Sequence, residues 1–144
     1  MGKLSEEVRR FLEAARVAHL ATADREGAPS VVPICFQVRE PWLFSVIDEK
    51  PKRVAGHRLR RVRNLLENPR IAVVVDRWAE DWSRLGWVLL RGRGELLEPG
   101  DAHAAALVLL REKYPQYRAM KLEQSLLIRM EIESVRAWGA LDAD

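Results

Sequence analysis

Cysteine is almost missing from this chain. Of 144 residues only Cys35 carries a thiol, which excludes a disulfide within one chain and a cysteine-based zinc site, and fits a reducing compartment. Histidine is equally thin: His19, His57 and His103 fall in three separate segments without the His-Glu-x-x-His spacing of a zinc enzyme. No metal site is expected. No apolar run is long enough to span a bilayer, and the N-terminal stretch MGKLSEEVRRFLEAARVAHL is charged throughout, unlike a signal peptide. The expectation is a cytoplasmic protein without a membrane partner. The glycine patterns of Rossmann and P-loop phosphate sites are absent, and Ser30, Ser45, Ser83 and Ser125 lack the Gly-x-Ser-x-Gly setting of an activated nucleophile. No side chain is therefore assigned a catalytic task.

What is present is an ordinary globular composition, 48% apolar and 31% charged. A chain of this size removes roughly 70% of its unfolded surface from water on folding. Without repeats, low-complexity tracts or linkers, residues 1–144 read as one domain. The net charge of +3 is unevenly placed: residues 50–63 hold seven of the 24 Lys and Arg and no acid, leaving 17 basic against 21 acidic residues elsewhere, a net of −4. A protein that coats nucleic acid spreads its basic residues over a face wide enough for several phosphates. One short cluster without interleaved aromatics suits a small anionic ligand instead.

The periodicities predict a mainly β architecture with flanking helices. Ser5 can cap a helix over 5–16, Glu6 and Glu7 suit its N-terminal dipole, and Val8, Phe11, Leu12 and Ala15 repeat at helical spacing. HLATAD and SVVPICFQV flank the turn signal Arg25-Glu26-Gly27 as a hairpin, and WLFSVI follows as a third strand. Pro33 within the second strand marks an edge, a bulge, or backbone groups left free for something other than a ladder. Residues 53–67 read as a helix with Leu59, Val62, Leu65 and Leu66 inward and the arginines outward. IAVVVD has the β-branched run of a buried strand, and residues 85–97 suit a long barrel strand bent at Gly92 or Gly94. A helix over 101–114, packed through Ala104, Leu107, Val108 and Leu110, and a final strand LLIRMEIES complete the order.

Two segments offer binding chemistry. Lys50 and Lys52 leave the third strand just before the basic helix, while Arg60, Arg63 and Asn64 lie three and four residues apart on one helical face. Such groups, with the N–H donors of a helix start, supply the charge and the hydrogen bonds that a phosphate requires. A basic helix face is by default merely solvated, and His57 is the one histidine placed to join this cluster. The second segment puts Trp78, Trp82 and Trp87 within ten residues, around the carboxylates Glu80 and Asp81. Indoles so grouped wall an aromatic ligand, make a subunit contact or fill a core. Cys35, on an apolar strand, reads as a small buried residue.

The order of these elements and their wording, HLATAD-REG-APSVVPICF, WLFSVIDEKPKR, LRRVRNLLENPRIAVVVD and DWSRLGWVLLRGRGEL, resembles the pyridoxamine-phosphate-oxidase-like, FMN-binding split-barrel family. DEKPKR with RRVRNL, NPRIAVVVD and EDWSRLGW is similar to its branch of deazaflavin (coenzyme F-420)-dependent enzymes. The resemblance spans roughly residues 10–138. It implies a six-stranded split β-barrel, a homodimer, and cofactor grooves at the dimer interface. Cofactor phosphate would meet Lys50, Lys52, Arg60, Arg63 and Asn64, the strand backbone at Val32, Pro33 and Ile34 would read the pyrimidine edge of the ring, and Trp78, Trp82 or Trp138 would border the ring or the substrate. The chain ends in RMEIESVRAWGALDAD, without the basic, histidine-containing substrate motif of the true pyridoxamine-phosphate oxidases, so vitamin-B6 oxidation is not expected.

The implied function is an F-420-dependent oxidoreductase that passes hydride to a small organic acceptor. The alternatives are an FMN-dependent oxidoreductase of the same fold and a non-catalytic protein that binds a flavin or tetrapyrrole. Substrate identity is not legible.

Overall fold

The computed structural model describes residues 4–48 and 59–142. Lys50, Lys52 and His57 lie outside the described residues. Helix α1 (Glu6–Ala14) starts where Ser5 Oγ accepts a hydrogen bond from Val8 N at 3.1 Å, with Glu6 and Glu7 in its first turn, and it buries Val8, Phe11 and Leu12. The strands follow in order: β1 (Ala18–Ala23), β2 (Pro29–Ile34), β3 (Gln37–Arg39) and β4 (Trp42–Val46). Helix α2 (Arg60–Glu67) precedes β5 (Arg70–Arg77) and β6 (Gly86–Leu97). Helix α3 (Asp101–Lys113) then leads to β7 (Leu127–Gly139).

All seven strands belong to one antiparallel sheet in the order β2-β1-β5-β6-β7-β4-β3. The two longest strands turn the sheet. β7 pairs with β6 from end to end and with β4 over its first half only. Between Arg91 and Gly92 the β6–β7 register shifts, leaving Glu133 as the extra residue of a bulge. A side chain at Gly92 would overlap the Glu131 carbonyl, so this bend demands glycine. The inner face collects Leu12, Leu20, Phe36, Val73, Leu90 and Met130, each worth roughly 1.5–3 kcal/mol by burial. A second cluster packs α3 against the other side of β4, through Phe44, Leu97, Leu107, Leu110 and Leu122. β4 therefore has apolar residues on both faces.

Some expectations shift. Among the described residues there are seven strands rather than six, because the expected strand SVVPICFQV breaks at Cys35 and Phe36. Phe36 is fully buried and its N–H donates to the Tyr114 hydroxyl at 2.9 Å, so the chain leaves β1 and β3 pairs with β4 instead. Cys35 is only half-buried. In α3 the inward residues are His103 and Ala106 beside Leu107 and Leu110, while Ala104 and Val108 are exposed. His103 Nε2 bonds the Ser125 carbonyl at 2.7 Å, which is why an imidazole sits where an apolar residue was expected. β7 runs on to Gly139 because β6 continues beside it. Among the described residues no helix is long and apolar enough to cross a membrane.

Candidate functional site

Helix α2 is fastened to the β1–β2 hairpin by polar contacts. Asn64 Nδ2 donates to Thr22 Oγ1 at 3.0 Å, Asn68 Nδ2 donates to the Asp24 carbonyl at 3.3 Å, and Glu67 accepts from Arg25 N at 3.1 Å. Val62 and Leu65 complete the inner side, while Leu66, expected inward, is 71% exposed. Fixed in this way, the helix holds Arg60 and Arg63 in solvent, and neither has a counter-ion among the described residues. Asn64 parts company with them. It is 1% exposed and turned toward Thr22, because a short amide on the edge of the buried stripe finds a hydroxyl partner inside. Its Oδ1 is buried without a hydrogen-bond partner.

Arg61 was not among the expected site residues. It is half-buried and its Nε lacks a partner. Burial lowers the affinity of its guanidinium for the proton, and the nearby Asp48 and Tyr117 oppose that shift. Tyr117 Oη donates to Asp48 Oδ2 at 2.6 Å and is also hydrogen-bonded to Cys35. Burial first, then the Asp48 and Cys35 bonds, push this phenol far above its ordinary range. The Arg61–Asp48–Tyr117–Cys35 cluster thus ties the end of β4 to the first turn of α2. Tyr117 comes from a short 3-10 turn, Pro115–Ala119, a long way off in sequence, and nothing in local periodicity marks it.

β2 is the edge of the sheet, which selects the edge reading of Pro33. Among the described residues only one side of its backbone meets a strand. Pro33 and Val31 face outward, Val32 is half-buried, and Ile34 points to the core. Thr22, the anchor of α2, is the register partner of Ser30. The stretch Val32–Ile34 therefore begins about 7 Å and ends about 13 Å along β2 from that anchor. The Asn64–Thr22 anchor thus sets one arginine-bearing helix surface on the same hairpin as the edge strand of the sheet.

The tryptophans stand elsewhere. Trp78 and Trp82 follow the far end of β5 and are 65% and 71% exposed. The eight residues of β5 separate them from the α2 end by about 26 Å. Trp78 Nε1 donates to Glu80 at 3.2 Å, and Asp81 caps the 3-10 turn Trp82–Arg84 by accepting from Ser83 N at 3.0 Å. Trp138 stacks on Trp87 with centroids 6.5 Å apart. His19, register partner of Pro33, lies with Nδ1 3.8 Å from Asp76 Oδ1, an ion-pair distance when the imidazole is protonated and too long for a direct hydrogen bond.

The family model for pyridoxamine 5′-phosphate oxidase matches residues 4–139. The chain belongs to that family. No curated protein matches its sequence. Solved structures related to this pyridoxamine 5′-phosphate oxidase family member include the conserved hypothetical protein Rv2991 from Mycobacterium tuberculosis, with TM-score 0.75 and 19% identity over 95% of this chain and 86% of that one. HutZ, a heme storage protein from Vibrio cholerae, aligns with TM-score 0.71 and 18% identity over 96% and 95%. An FAD-binding protein from Mesorhizobium loti aligns with TM-score 0.67 and 26% identity over 93% and 94%. These likenesses carry the split-barrel fold. The family suggests a flavin-type cofactor, and Arg60 and Arg63, without counter-ions among the described residues, offer cationic donors on the helix fastened to the β2 hairpin.

Proposed function

We propose that the protein binds a flavin-type cofactor along β2 and uses it as an oxidoreductase, with coenzyme F-420 as the cofactor and FMN as the alternative. The observation that carries this reading is the pair Arg60 and Arg63, held in solvent without counter-ions among the described residues on a helix locked to the edge hairpin. Arginine meets a phosphate with planar, paired donors that lysine does not offer, and Lys50 and Lys52 belong to the same basic segment of the sequence. The strand edge at Val32–Ile34 would hold the ring by backbone hydrogen bonds, and Pro33, having no N–H, shapes that pattern. When bound and reduced, the cofactor would supply hydride to a small electron-poor acceptor. The residues of the chain orient it and exclude water. A second copy of the chain would complete the groove and bring its Trp78 or Trp82 toward the ring, since one protomer keeps them about 26 Å from α2.

The test is a fluorescence titration of the cofactor-free protein with F-420 and with FMN at matched ionic strength. Arg60→Ala with Arg63→Ala should weaken the preferred cofactor by about 1.5–3 kcal/mol per lost contact, roughly tenfold or more for each. Unchanged affinity in the double variant would remove the phosphate from this helix.

A second reading, binding of a tetrapyrrole without turnover, is favoured by His19. Its imidazole stands beside Pro33 with a carboxylate behind it, and HutZ, a heme storage protein, shares the fold. A Soret band on haemin addition that His19→Ala abolishes would move the protein to that class.

A further inference from the structure

A cleft of about 600 Å³ opens between the C-terminal end of α1, the start of β1, the end of β5 and the segment after β7. Phe11, Val17 and Leu141 give it apolar walls, and Arg10, Arg16 and Arg77 bring three positive charges to it. Those charges are already engaged. Arg10 meets Asp142 at 3.4 Å, Arg16 donates to the Lys113 carbonyl, and Arg77 donates to the carbonyls of Arg84 and Ala140. The pair left loose is His19 and Asp76. His19 Nδ1 stands 3.8 Å from Asp76 Oδ1, and neither ring nitrogen makes a hydrogen bond among the described residues. Both side chains are about half exposed, at 42% and 55%.

His19 is the one lining residue that β1 contributes, and it lies opposite Pro33 of β2. Cross-strand partners share a face, with Cβ atoms about 5 Å apart. The cleft therefore opens beside the strand edge, Val32–Ile34, that the proposed function gives to the cofactor ring. Hydride transfer to an uncharged acceptor leaves an anion that needs a proton. The arginines of the site keep theirs at any ordinary pH, and Pro33 has no N–H. Histidine is the side chain best suited to passing a proton near neutral pH, and a carboxylate behind the ring steadies the imidazolium.

We infer that His19, oriented by Asp76, is the proton donor to an acceptor seated in this cleft. The inference rests on the oxidoreductase reading and deepens it by giving the cleft and the pair their parts. With Nδ1 toward Asp76, Nε2 is the nitrogen left to donate. Catalytic hydrogen bonds are commonly long before the reactant binds, and a shift of about 1 Å brings Nδ1 and Oδ1 into contact. On an unsaturated ketone, the β-carbon takes the hydride of the reduced flavin-type cofactor and the carbon–carbon π pair moves toward the oxygen. The Nε2–H bond then breaks and its proton goes to that enolate. The product is the saturated ketone, the cofactor is left oxidised, and the imidazole recovers a proton from water. The charged groups around His19 are Asp76 and Arg77 on β5, Arg10 and Arg16 from α1 and the turn after it, and Asp142 beyond β7. Only Asp76 is free to pair with the imidazolium, because Arg10 holds Asp142.

The experiment loads the full chain and His19→Gln with F-420 or FMN, reduces the cofactor without oxygen, and follows two probes above the protein-free background. 2-Cyclohexenone needs a proton after hydride, whereas the methylene blue cation becomes its neutral leuco form by hydride alone. His19→Gln should lower the ratio of enone rate to dye rate by roughly 100-fold, with cofactor affinity by fluorescence titration at the parental value. The parental enone rate should fall as rising pH deprotonates the imidazole, and the variant's should be flat. Asp76→Asn should lower the same ratio. In the oxidised, loaded protein, where nothing turns over, the imidazole NMR signals that His19→Gln removes should shift when cyclohexenone is added. An unchanged ratio, or a parental chain that reduces the dye and not the enone, overturns the proton-donor role and leaves the oxidoreductase reading standing. Cofactor binding with neither probe reduced, or no binding of either cofactor, overturns the oxidoreductase reading and this role with it.

Discussion

Lys113 shows how much a single buried residue costs and how that cost depends on pH. The residue is 5% exposed, and its ammonium donates to the Leu12 carbonyl at 3.0 Å and sits 3.8 Å from the centre of the Phe36 ring. Burial is the largest influence and lowers its pKa to about 8, with Glu13 opposing the shift and Arg16 adding to it. The folded chain then binds fewer protons than the unfolded one between about pH 8 and the ordinary lysine value of 10.5. Stability linked to this group is present above that window and is lost as pH falls through 8. Urea unfolding followed from pH 7.5 to 9.5 should show stability rising with pH, and Lys113→Met should flatten the rise. Tyr114, pushed up to about 12 mainly by burial, acts only above pH 10 and in the opposite direction, as stability lost with rising pH. Residue-scale features were the least legible in the sequence. Asn64 stood in the right spacing for a phosphate face, but a hydroxyl 42 residues earlier in the chain claims it. Cys35 read as a core residue, and only its bond to Tyr117 shows it to be part of a polar cluster.

Elements were legible where their signals were local. The Ser5 cap and the apolar spacing placed α1, and the β-branched run placed β5, because caps and periodicity act within a few residues. The break between β2 and β3 was hidden, since it depends on the Tyr114 hydroxyl reaching Phe36 N from 78 residues away. The bend of β6 was half visible: two glycines were evident, but only the register shift shows that Gly92 carries the bulge. Gly92→Ala should therefore be severe. With its methyl overlapping the Glu131 carbonyl, one of the two long strands must move, at a cost of about 3 kcal/mol or more. For a chain of this length that is a fall in Tm of about 6–12 °C by calorimetry. A Tm within 2 °C of the parental value would place the bulge elsewhere.

At the scale of the whole molecule, the sheet is fully paired inside but unfinished outside. Val31, Trp138 and the outward residues of β5 and β6 hold apolar and charged surface that no element among the described residues covers. A monomer that exposes such a face gains nothing from it, whereas a dimer stabilises each protomer by mass action. If folding and association are linked in this way, raising the protein concentration 100-fold stabilises the dimer by about 2.7 kcal/mol, half of it per protomer. Tm should then climb by about 3–5 °C between dilute and concentrated samples. A Tm independent of concentration would mean that this face meets solvent, and the cofactor groove would have to be complete within one chain. The tryptophans about 26 Å from α2 would then have no part in it.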